Sequence, residues 1–80
     1  MAARSRLYLR QNDAEAALAD VGRVIEFAPE VAIFYAYRGA AKAIGGDMAG
    51  ARDDFDRARS MATDPGDISF IDEQKREVGL

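Results

Sequence analysis

The 80-residue chain has no cysteine and no histidine. The first absence excludes disulfides, thiolate nucleophiles and thiolate metal sites. The second removes the usual general base near neutral pH and the commonest metal ligand. There is no tryptophan and only two prolines, Pro29 and Pro65. No stretch approaches the roughly 20 apolar residues that a membrane-spanning helix needs. The opening MAARSRLYLR carries Arg4, Arg6 and Arg10 where a secretion leader would be apolar. The expected location is therefore cytoplasmic, with no membrane partner. A net charge of −3 gives no basic surface for a phosphate backbone, so nucleic acid is not an expected partner.

Little remains for catalysis. Ser5, Ser60, Ser69 and Thr63 have only Lys42 and Lys75 as candidate activators, at spacings that suggest no pairing. Asp53, Asp54 and Asp56 cluster among Arg52, Arg57 and Arg59, which reads as a solvated helix face with local ion pairs. These aspartates do not have the spacing of a calcium loop. Gly45-Gly46-Asp47 lacks the Lys and Ser/Thr of a phosphate cradle. The expectation is no enzyme activity, no catalytic residue, no cofactor and no metal.

What the chain does have is a near-repeat of 34 residues. Shifted by that length, Ala2 meets Ala36, Arg4 meets Arg38, Asp13 meets Asp47 and Ala17 meets Ala51. Asp20 then meets Asp54, Arg23 meets Arg57 and Ala28 meets Ala62. A fixed period of this size marks an array of helical hairpins, which presents surfaces rather than chemistry.

Helical periodicity fits throughout, and no segment alternates as a strand would. A first helix is predicted from about Ala2 to Arg10. Asn12, with Glu15 three residues on, predicts the cap of a second. Its apolar stripe is Ala14, Ala17, Leu18, Val21, Val24, Ile25 and Ala28. Pro29 closes it and opens a third helix, from about Glu30 to Ile44. This helix has two apolar faces: Ala32, Tyr35, Gly39 and Ala43 on one, Ile33, Ala36, Tyr37, Ala40 and Ile44 on the other. Such a helix packs on both sides, or packs on one and shows the other. Gly45-Gly46 stops it and Asp47 caps the fourth, whose stripe is Met48, Ala51, Phe55, Ala58 and Ala62. Asp64-Pro65-Gly66 is predicted as a turn, and Asp67 as the cap of a fifth helix. The short connections make neighbouring helices antiparallel.

The segment YAYRGAAKAIGGDMAGARDDFDRARSMATDP, Tyr35 to Pro65, resembles a tetratricopeptide repeat (TPR). The residues that carry the resemblance are Tyr35, Gly39, Gly46-Asp47, Ala51, Phe55 and Ala58. Residues 1–31 follow the pattern in register through Ser5, Asp13, Ala17, Val21, Val24 and Pro29. The resemblance implies an all-α fold, a right-handed superhelical stack of antiparallel hairpins. Its parts would be repeat 1 at about 1–31, repeat 2 at about 32–65 and a capping helix at about 67–79, in a single domain. Two repeats are fewer than the three or so such arrays usually need. Self-association, or membership of a longer TPR scaffold, is the alternative this raises.

By the same resemblance, the first helices of the hairpins form a concave face that takes a peptide or partner protein. The positions carried over are Arg6, Leu9, Arg10, Ile33, Ala36, Tyr37, Ala40 and Ile44. They make an apolar floor with a basic rim, suited to an acidic peptide with an apolar anchor. Charge also divides the chain. Residues 1–12 hold three arginines and no acid, while residues 47–73 hold eight acids against three arginines, a net of −5. A basic start and an acidic end would also suit a homo-oligomer.

Overall fold

The computed structural model describes the chain from residue 12 to residue 80, with side-chain environments from residue 15. Four helices make up this part: α1 (Asn12–Phe27), α2 (Ala32–Ile44), α3 (Met48–Met61) and α4 (Pro65–Glu77). No strand occurs among the described residues. The helix expected over Ala2–Arg10 and the side chain of Asn12 lie outside them. No helix among the described residues is long and apolar enough to cross a membrane.

The helix boundaries follow from local chemistry. α2 ends in a pair of backbone bonds made by the glycine turn. The Gly46 N–H donates to the Ala43 carbonyl at 3.1 Å and the Asp47 N–H to the Lys42 carbonyl at 2.8 Å. Gly46 reaches this geometry at φ +96, in the left-handed region that a side chain disfavours. Asp47 then caps α3, its Oδ1 accepting from the Gly50 N–H at 2.9 Å. α4 ends the same way. Gly79, at φ +85, donates to the Arg76 carbonyl at 3.0 Å, and Leu80 donates to the Lys75 carbonyl at 3.0 Å. Leu80 folds back against the core.

Two predicted boundaries are corrected. Pro29 and Glu30 form a turn rather than the start of α2, which begins at Ala32 with Val31 at its cap. The turn is held because the Tyr35 hydroxyl donates to the Pro29 carbonyl at 3.0 Å. Pro65 and Gly66 belong to α4, whose cap is Asp64 rather than Asp67. Proline lacks the N–H that a first helical turn leaves unpaired, so position N1 suits it as well as a turn does.

α2 is the central helix, packed against α1, α3 and α4. Contacts such as Arg38 to Asp54 and Lys42 to Asp54, with Tyr35 facing Arg57, run in opposite directions along α2 and α3, so the two are antiparallel. Their close approach is at Gly39. A Cβ there would lie 3.1 Å from the Ala51 carbonyl oxygen and 3.1 Å from the Phe55 ring. The core comprises Ile25, Ala32, Tyr35, Ala36, Ala51, Phe55, Ala58 and Ile71. It is alanine-rich because the backbones come close together, with Phe55 and Ile71 the largest side chains fully enclosed.

Candidate functional site

α2 buries most of one of its two apolar faces and leaves most of the other half-buried or exposed. Ala32, Tyr35 and Gly39 are buried. On the other face Tyr37 is 46% exposed and Ile44 is 42% exposed, with Ile33 and Ala40 half-buried between and beside them. Positions 33, 37, 40 and 44 recur at four-and-three spacing, so they form one lane along the helix. Ala36 does not belong to it. It has no exposed surface and is enclosed in the core, so it packs α2 rather than facing a partner. Arg6, Leu9 and Arg10 lie outside the described residues.

The lane is bordered by α4. The Tyr37 and Phe70 rings meet edge to face, with centroids 5.4 Å apart and planes at 68°. Such a pair fixes the Tyr37 side chain and adds roughly 0.5–1.5 kcal/mol beyond the area it covers. Tyr37 is thus held in place from one side while part of its ring stays open.

The residues that carry the repeat resemblance are structural. Tyr35, Ala51, Phe55 and Ala58 are buried, and Gly39 sits at the helix crossing. The guanidinium groups of Arg38 and Arg57 lie 5.3 and 5.1 Å from the Tyr35 ring centroid. These contacts favour the ring's π-face electrostatically and cover it.

Asp54 departs from the expected solvated face. It is buried, whereas Asp53 and Asp56 are exposed. Arg38 donates to both of its oxygens, Nε to Oδ2 and Nη2 to Oδ1, each at 2.8 Å. Lys42 Nζ lies 3.1 Å from Oδ2. Burial alone would raise the Asp54 carboxyl pKa. The hydrogen bonds from Arg38 and Lys42 outweigh it and hold the group below the usual carboxylate range. The bond to Asp54 raises Arg38 in turn. A carboxylate kept ionised between two cations has no proton to give and little basicity. It ties α2 to α3 and is a poor acid–base catalyst. The other close ion pair among the described residues, Arg59 to Asp72 at 2.7 Å, links α3 to α4 at the surface. Among the described residues no group of three His, Cys, Asp or Glu is placed to hold a metal ion.

Pairing with α3 therefore engages both cations of α2, Arg38 and Lys42, away from the exposed lane. The spacing of Asp54 could have revealed its role. Ala51, Asp54, Phe55 and Ala58 stand at three, four and seven residues on one helical stripe. Comparison with known proteins gives no match: no family model, no curated protein and no solved structure matches this chain.

Proposed function

We propose that this chain is a protein–protein interaction module, a short TPR-like array that holds a peptide or partner protein on the lane Ile33, Tyr37, Ala40 and Ile44 of α2. On this reading the helices belong to a right-handed superhelical stack of two repeats closed by α4. The module works in the cytoplasm without chemistry or cofactor. The observation that carries the reading is the half-exposed lane with Tyr37 fixed against Phe70. An aromatic residue held in one orientation loses little side-chain freedom on binding, which is how interface anchors gain affinity.

The test is retention of proteins by the immobilised chain. Tyr37→Ala and Ile44→Glu lose the retained proteins while circular dichroism shows unchanged helix content. Asp53→Lys, on the exposed side of α3, keeps them. Equal retention by all three variants removes the lane from the account.

Self-association is the second reading, favoured by α1. Phe27 is 92% exposed and Val24 40% exposed. A second copy covering them would remove apolar surface from water.

A further inference from the structure

Resting on that reading of the α2 lane, we infer that its occupant is a basic peptide segment, arginine or lysine flanking an apolar anchor, rather than an acidic one. The anchor would sit on Tyr37 and Ile44, and the flanking cations would meet α4.

The charges beside the lane decide this. Phe70 joins α4 to Tyr37. Asp67, Phe70, Glu73 and Glu77 stand at spacings of three, three and four, which places three carboxylates on the same side of α4 as Phe70. Glu73 and Glu77 are exposed, Asp67 is half-buried, and none of the three has a salt-bridge partner among the described residues. The cations of α4 turn away. At about 100° per residue, Lys75 and Arg76 lie roughly 140° and 120° round the helix from Phe70. Asp72, on that far side, is paired with Arg59 of α3. The cations of α2 are both on Asp54. The aromatic lane therefore has an acidic border along α4, and no cation of α2 or α4 competes for it.

An arginine brought to this border meets carboxylates it can grip in bidentate fashion, with the open part of the Tyr37 ring within reach for a cation–π contact. An acidic peptide meets like charge along the whole α4 side. Arg6 and Arg10, the residues of the expected basic rim, lie outside the described residues. Border charges of this kind act mainly on association rate and specificity, so binding should weaken as salt rises.

The test uses the full chain and two fluorescein-labelled peptides, read by fluorescence anisotropy. One is arginine-rich with a central Trp-Leu pair; the other has glutamate for every arginine. The basic peptide is expected to bind and its acidic twin to fail. Glu73→Lys with Glu77→Lys should weaken the basic peptide by at least about fivefold at low salt. Tyr37→Ala should weaken both the parent and the charge-reversed chain. Preference for the acidic twin, or equal binding by the charge-reversed chain, overturns the inference. So does a dimer, seen by light scattering, from which the basic peptide is excluded, because a second copy is then the occupant. Binding of neither peptide also overturns it. The interaction surface itself would still stand if Tyr37→Ala and Ile44→Glu lost their retained proteins.

Discussion

Replacing Asp54 with alanine should destabilise the chain far more than its neighbours on α3 suggest. The Asp54 side chain is 5% exposed and accepts from Arg38 at 2.8 Å twice, with Lys42 at 3.1 Å. Breaking a fully buried pair costs about 3–5 kcal/mol, because the remaining charge has nowhere to go. Here the remaining cations are 28% and 27% exposed, so each can recover part of its hydration. The expected loss is therefore smaller, about 2–3 kcal/mol. For a domain of this size, each kcal/mol moves Tm by roughly 4–8 °C. Asp53→Ala, one residue away and exposed, should stay within about 0.5 kcal/mol.

The sign of the pH dependence follows from the depressed Asp54 pKa. Above the unfolded value of about 3.9 the carboxylate is ionised in both states, and the pair's full contribution is present. As pH falls, the unfolded chain takes up the proton first, and the contribution is lost through the lower folded pKa. The gap between parent and Asp54→Ala should therefore close toward strongly acid pH. Thermal melts followed by circular dichroism at neutral and acid pH measure both quantities. A loss no larger than that of Asp53→Ala, or a gap independent of pH, would refute the pairing.

Three further substitutions probe other links. Gly39→Ala gains helix propensity of about 1 kcal/mol but places a methyl 3.1 Å from the Ala51 carbonyl oxygen and the Phe55 ring. A net loss of about 0–2 kcal/mol in urea unfolding is expected, since overpacking costs about 1–3 kcal/mol and the backbone oxygen cannot move aside cheaply. Asp47→Ala removes the α3 cap and should cost about 1 kcal/mol by the same assay. Phe55→Ala empties the largest enclosed position and should cost about 3–5 kcal/mol, enough to lose the cooperative melt of a domain this small.

Much of the fold was legible because the signals were local. The glycine pair and Asp47 mark a helix end and the next helix start, and the structure shows the bonds that make them so. Gly39 and Ala51 stand in the sequence as small residues on the buried stripes of α2 and α3, and the structure brings the two backbones together there. Pro65 misled because proline serves a turn and a first helical position equally well. Asp54 misled because its neighbours in sequence are charged. Burial follows the helical stripe rather than the composition of a window, and the compensating Arg38 lies 16 residues earlier. The 34-residue shift brings Arg4 with Asp20 onto Arg38 with Asp54 together, a clue that only the paired contact makes readable. For the candidate site, the two-faced pattern of α2 groups Ile33, Tyr37, Ala40 and Ile44, which the structure leaves half-buried or exposed. The pattern could not separate Ala36 from them, because an alanine fits an exposed lane and an enclosed crossing alike. Nor could it find Phe70, whose contact with Tyr37 is set by how α4 packs on α2.

The central claim is that the α2 lane remains open for a different protein. The most direct measurement is the solution mass by light scattering after size exclusion, across a range of concentration and at low and high salt. The account predicts a monomer of 8.7 kDa in every condition. A dimer or larger species that Tyr37→Ala or Ile44→Glu returns to monomer would contradict it, because the lane would then be occupied by the chain itself.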